Sequence, residues 1–333
     1  MVRSLVYPAA NRGVARRLLD HTAFAASALA SGRWAGTADV VVAETPPLFL
    51  AAAAPAYARR RGAALVLHVS DLWPDSAIAL GAVESPTAIR LARALERHAY
   101  RGAARVVVPT RGLERELAGR DEVAERVRRI GPAVDLDRFA APPPRRDGAL
   151  RVLYAGTVGM AHGVETLVEA ARRAGPAVEV TIAGAGADLE RVRAAVAAVD
   201  NVRVLGAVAA TAVPGLLRET DVAAVLLRDR AVFRDALPTK LLEAMAAGRP
   251  LALSAAGEAA ELVERSGAGV VAAPEDPDAL ADALLGLAAL DEVELRALGE
   301  RGVAHASGCG RGAMVERWAA LLADVVGART ASR

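Results

Sequence analysis

Residues 235–250 read DALPTKLLEAMAAGRP. Pro238 suits a helix start, where its missing N–H costs nothing. Leu241, Leu242 and Met245 then recur at the spacing of one buried helix face. Gly248 followed by Pro250 ends that helix and opens a short apolar strand, Pro250–Leu253. Lys240 and Glu243 stand three residues apart, so both side chains leave the same side of the first turns. A helix N-terminus offers unpaired N–H groups and partial positive charge, which suit a diphosphate. An ammonium there can steady a departing diphosphate. A carboxylate one turn deeper can accept two hydrogen bonds from a ribose diol, each worth about 1.5–3 kcal/mol. The plainer alternative is a solvated Lys–Glu pair worth ~0.2–0.5 kcal/mol. Composition argues against it: Lys240 is the sole lysine in a chain with 41 basic residues.

On either side of this stretch, β-branched runs alternate with helical patterns. Strands are predicted at Arg151–Ala155, Glu179–Ala183, Val202–Leu205 and Val222–Leu226, with a helix opening near Val164 that places Val164, Leu167, Val168 and Ala171 on one face. Nearer the N-terminus, strands are predicted at Asp39–Ala43, Ala64–Ser70 and Arg105–Pro109, and Leu91, Ala94, Leu95 and His98 recur at helical spacing. The run APPPRRDG at 141–148 cannot continue a helix or a central strand and reads as a linker. This alternation predicts an α/β protein with two Rossmann-like, doubly wound domains whose strand ends face a cleft. The expected division is 1–146 for the first domain, 149–310 for the second, and 311–333 for a last helix and tail.

Composition agrees. A length of 333 residues exceeds what one core usually serves. Apolar residues make up 53% and aromatics only 3%, so the cores must be built from Ala, Val and Leu. The single cysteine, Cys309, excludes an internal disulfide framework and suits a reducing compartment. The apolar stretch Val40–Ala58 is broken by Glu44, Pro46, Pro47 and Pro55, which excludes a spanning helix there. No signal peptide is read at the start, so a cytoplasmic location is expected, with peripheral contact to the inner face of the plasma membrane as an option. Up to Gly148 there are 22 basic against 15 acidic residues, and beyond it 19 against 24. The basic first half suits an anionic partner, either a phosphate-bearing acceptor or a membrane surface, or else it is a solvated face. Arg59–Arg61 and the series Arg90, Arg93, Arg97, Arg101 carry that charge.

With these motifs in hand, PTKLLEAMAAGRPL resembles the donor-binding helix of family 4 retaining glycosyltransferases of the GT-B fold. It is similar in particular to the bacterial branch that builds capsule, colanic-acid and O-antigen polysaccharides. Residues 153–170 (LYAGTVGMAHGVETLVEA) resemble the glycine-rich loop and helix that open that family's second domain. Asp71–Asp75 (DLWPD) and 129–139 (RIGPAVDLDRF) resemble first-domain segments, and Gly257–Glu258 with Gly267–Gly269 fit the pattern after the donor helix. The resemblance runs from about Asp39 to the C-terminus. Two departures stand out. Asp235 occupies a position where many relatives carry glutamate, and Thr157 and His162 replace a basic pair on the opening loop. Phosphate contacts are therefore expected from Lys240 and from the N–H groups of Gly156, Thr157 and Gly159, with His162 either a donor to the diphosphate or merely exposed. The chain opens with Met1–Tyr7 and a helix near Val14–Leu29, not the family's strand and glycine-rich turn. A first domain lacking its opening strands, with an unpaired edge, is expected.

The resemblance implies transfer of a hexose or N-acetylhexosamine unit from a UDP-sugar to a saccharide or lipid-diphosphate-linked acceptor, with retention. Lys240 and Asp71 are the catalytic candidates, Asp235 and Glu243 join the donor set, and His68 lies on the acceptor side. Asp71 either receives the acceptor proton or caps the loop before Trp73. A non-catalytic nucleotide-binding subunit is the alternative function. No cofactor and no metal are expected: Asp135-Leu-Asp137 sits by the linker and reads as a turn and cap. Gly184-Ala-Gly186 lacks a third glycine and reads as a tight turn, not a dinucleotide site. No nucleic-acid partner is expected.

Overall fold

The computed structural model describes residues 14–34, 36–79, 81, 83–140 and 148–331. Its contacts divide into two compact units, one of Met1–Gly131 with Val315–Arg333, the other of Pro132–Met314. The first unit carries a four-stranded sheet: β1 (Val40–Thr45), β2 (Ala64–Val69), β3 (Arg105–Val108) and β4 (Val127–Arg129), all parallel and in that spatial order. Helices Leu48–Arg60 and Pro86–Gly102 pack on it through small residues: Ala51, Ala54, Ala58 and Ala99 are all buried. Closeness is enforced at Gly102, where a Cβ would lie 2.5 Å from Pro55 Cβ. Ser85 caps the second helix by accepting from Ala88 N–H, and Pro86 follows at its first turn. Among the described residues, β1 pairs with β2 alone, and its Val42 is 50% exposed. The opening segment Met1–Tyr7 lies outside the described residues.

The second unit holds β5 (Leu150–Ala155), β6 (Val178–Ala183), β7 (Val202–Gly206), β8 (Val222–Leu226), β9 (Leu251–Ser254) and β10 (Gly269–Ala272). Their spatial order is β10-β9-β8-β5-β6-β7, every pair parallel. The chain runs outward one way from β5 to β7, then crosses back to β8 beside β5. The sheet is thus doubly wound, with its switch point between β5 and β8. Its core is the buried set around Val152, Tyr154, Val180, Ile182 and Leu167. Near the opposite end of the strands from the site, the fully buried Asp221 accepts from Arg151 N, Nε and Nη2 at 2.9, 3.0 and 2.8 Å. Arg249, also fully buried, donates from Nε to Leu217 O at 2.7 Å.

The compact units do not divide where the expected domains do. The chain leaves the first unit at Gly131, and Pro132–Ala140 groups with the second. The reason is a non-local pairing: Val134 N–H donates to Cys309 O at 2.9 Å, and Arg311 N–H donates to Val134 O at 3.0 Å. Residues 141–147, most of the expected linker, lie outside the described residues. The last helix, Arg311–Ala331, is no separate body; from Val315 it groups with the first unit. Arg105 Nη2 meets Asp324 at 2.9 Å there, and His68 stands edge-on to Trp318 with ring centres 5.6 Å apart. Asp135 caps the short helix Leu136–Phe139 through Arg138 N–H and pairs with Arg311 at 3.2 Å, the role read for it in the sequence.

Candidate functional site

In the second unit, the helix Thr239–Ala246 begins directly after Pro238. Leu241, Leu242, Ala244 and Met245 are buried beneath it, which fixes its rotation and leaves Lys240 and Glu243 only half-buried. Both also border a small void between this helix and β5 and β8, walled by Leu153, Ala155 and Ala223–Val225 and too tight for a nucleotide. Lys240 itself reaches Tyr154 and Gly156 at the end of β5, beside the switch point where doubly wound sheets place their ligands.

Lys240 Nζ donates to Tyr154 Oη at 3.0 Å and sits 4.3 Å from the centre of the Tyr154 ring. Burial pushes its ammonium down to about 8, against a partial restoring pull from Glu243. The backbone makes room at Gly156, where a Cβ would stand 2.9 Å from Nζ and φ is +146°. Glu243 has no ion-pair partner within 4.0 Å among the described residues. Its carboxyl is raised by burial, with Arg138 and Lys240 drawing it back. An unpaired, half-buried carboxylate has acceptor lone pairs to offer a diol.

The glycine-rich loop Gly156–Gly163 is packed against the loop after β6. A Cβ on Gly184 would lie 1.7 Å from Gly156 O, and one on Gly186 would lie 2.2 Å from Val158 O. These two glycines therefore serve close backbone approach more than a turn. The same packing corrects one expectation. Gly156 N–H donates to Ala183 O at 2.9 Å and Val158 N–H to Ala185 O at 3.0 Å, so the Gly156 amide is not available to a phosphate. Thr157 and Gly159 N–H have no acceptor among the described residues. His162 is half-buried, its ring edge-on to Tyr154 at 6.4 Å. Burial, then the Lys240 charge, pushes it down to about 4, so it is a neutral imidazole beside the ammonium. Arg228 holds the loop from the other side: its N–H donates to Ala161 O at 2.9 Å and its Nε to Met160 O at 2.8 Å. Asp235 lies half-buried in the turn before the lysine helix.

In the first unit, His68 and Ser70 share a face, as their spacing indicated, and meet Glu44 at the ends of β1 and β2. His68 Nδ1 lies 3.5 Å from Glu44 Oε1, and Ser70 Oγ donates to the same oxygen at 3.1 Å. Burial lowers the His68 pKa while Glu44 opposes it. Asp71 is half-buried; burial raises its carboxyl, and hydrogen bonds from Ser76 and Leu72 draw it down. Sequence reasoning passed over Glu44, Tyr154, Arg138 and Arg228. Tyr154 stands in the quoted loop, but its hydroxyl contact spans 86 residues. Among the described residues, no group of three or more His, Cys, Asp or Glu side chains could hold a metal ion.

The family model described as Glycosyl transferases group 1 matches residues 149–289, and that described as Glycosyl transferase 4-like domain matches residues 1–133. The putative colanic acid biosynthesis glycosyl transferase WcaI of Escherichia coli (strain K12) is 27% identical over 290 residues, which are 80% of this chain and 70% of that protein. The alpha-D-kanosaminyltransferase of Streptomyces kanamyceticus is 31% identical over 223 residues, 62% of this chain and 56% of its own length. Among solved structures, Anabaena HepE in complex with UDP and glucose superposes with a TM-score of 0.74 at 18% identity, covering 90% of this chain and 81% of that one. Sucrose-phosphate synthase from Thermosynechococcus elongatus gives 0.77 at 19%, covering 98% and 83%. At such identities these two establish the fold. The sequence motifs, the two parallel sheets and the two consecutive family matches agree: the chain belongs to the family 4 glycosyltransferases of the GT-B fold.

Proposed function

We propose that this glycosyltransferase moves a hexosyl or N-acetylhexosaminyl unit from a UDP-sugar to a saccharide or lipid-diphosphate-linked precursor of a cell-surface polysaccharide, with retention at the anomeric carbon. The observation that carries the reading is the placement of Lys240 against Tyr154 and Gly156 at the end of β5, with Glu243 one turn further along the same helix. In the reaction, the bond from the anomeric carbon to the diphosphate oxygen breaks, and the acceptor oxygen bonds to the same face of the sugar. Lys240 and the amides of Thr157 and Gly159 stabilise the departing diphosphate, and Glu243 holds the ribose diol. His162 donates to the diphosphate as a neutral imidazole, and Asp235 supports the turn that presents the lysine. With the ammonium supplying the positive charge, no metal is needed. Asp71 and His68 face the acceptor hydroxyl, Asp71 receiving its proton. The solved complexes of HepE with UDP and with UDP-glucose support a UDP donor, and the name of WcaI supports a polysaccharide acceptor.

Exposed Arg90, Arg97 and Arg101 on the helix Pro86–Gly102 suit peripheral contact with an anionic membrane at its cytoplasmic face. Among the described residues, no helix is long and apolar enough to cross a membrane. Lys240→Ala and Glu243→Ala should each abolish UDP-sugar turnover in a release assay for UDP, with activity unchanged by EDTA. Wild-type rates in both variants would refute the assignment.

A further inference from the structure

Tyr154 is fully buried at the end of β5, yet its hydroxyl is used twice. It donates to Thr157 O at 2.6 Å and accepts from Lys240 Nζ at 3.0 Å. The same ring lies under the ammonium at 4.3 Å and edge-on to His162 at 6.4 Å. A buried tyrosine needs only one partner to satisfy its hydroxyl, and Thr157 O already provides it. The second bond is directional and costs the lysine side-chain entropy. It also requires Gly156, since any side chain there would meet the ammonium.

Resting on the donor-site reading above, we propose that Tyr154 is the positioning residue of Lys240, joining the ammonium to the glycine-rich loop through the relay Lys240 Nζ–H to Tyr154 Oη, and Tyr154 Oη–H to Thr157 O. The relay has two consequences. It holds the loop carbonyl of Thr157 toward the core, and with it the planar Thr157–Val158 peptide, whose N–H donates to Ala185 O at 3.0 Å. It also stabilises the charged lysine in an otherwise desolvating pocket, through both the hydroxyl oxygen and the ring face. Tyr154 touches neither donor nor acceptor in this scheme; it acts through Lys240 and the loop.

Because Lys240 is the sole lysine, protein labelled with carbon-13 lysine reports it as a single side-chain resonance. Its titration is compared in wild type and Tyr154→Phe, and UDP alone is titrated by calorimetry at pH 7.5. The expected result is a lower lysine titration midpoint in the variant and UDP binding weakened about 5–10-fold, because the ammonium is no longer held toward the loop. A merely structural tyrosine would lower the unfolding temperature and leave the midpoint in place. Equal midpoints and equal UDP affinity in the two proteins overturn the proposal. If wild type fails to bind UDP, the donor reading falls, while the midpoint comparison still decides whether Tyr154 sets the lysine. Should Tyr154→Phe not fold, the wild-type spectrum decides. Lys240 ε-protons over the ring face must be shifted upfield, and a solvent-like position refutes the contact.

Discussion

Raising the pH from 7 to 9 should weaken UDP binding to this protein about tenfold, and the slope should belong to one side chain. In the free protein, burial holds the Lys240 ammonium down to about 8. A diphosphate seated beside it favours the charged form and returns it toward its ordinary value of ~10.4. The sign follows from proton linkage. Below pH 8 the lysine is charged whether or not UDP is bound, so affinity is flat. Above pH 8 the free protein has lost the proton that the complex retains, so binding must take one up, and the dissociation constant rises about tenfold per pH unit until the bound lysine titrates. Calorimetry at pH 8 in two buffers of different ionisation enthalpy should register uptake of about half a proton. Lys240→Arg provides the control, because a guanidinium does not titrate in this range. A wild-type dissociation constant that changes less than about twofold from pH 7 to 9, or the same slope in Lys240→Arg, would sink the reasoning.

Two further predictions concern the scaffold. Asp221→Ala should destabilise the second unit by about 3–5 kcal/mol in urea unfolding, since it removes the carboxylate that accepts three bonds from Arg151 and strips the charge beside buried Arg249. A loss below about 1 kcal/mol would show that the ion pair is dispensable. Gly184→Ala should lower stability by at least about 1–3 kcal/mol and weaken UDP binding with it, because the new Cβ meets Gly156 O. A variant that melts like wild type would mean the two loops can separate without cost.

Much of the fold was legible because its signals are local. Val222–Leu226 forms the strand that its apolar run indicated, and the lysine helix starts after Pro238 and ends before Gly248, whose φ is +64°. The edge strand Val127–Arg129 was missed because two of its three residues are exposed arginines that carry no apolar pattern. The expected linker rests on three prolines in a row, a strong local signal, whereas the pairing of Val134 with Gly310 that groups Pro132–Ala140 with the second unit joins residues far apart in the chain. At the site, the Lys240–Glu243 spacing could be read directly from helical geometry. The lost amide of Gly156 could not, since it depends on which carbonyl the loop after β6 brings to it. Glu44 escaped for the same reason: only strand register sets it beside His68.

The interlocked loops at Gly156 and Gly184 also constrain how such an enzyme can change its donor. Their main chains press together so closely that neither can be lengthened or exchanged without the other. Grafting a foreign phosphate loop onto this scaffold would require transplanting both segments as a matched pair, and natural divergence at one should be accompanied by compensating change at its neighbour.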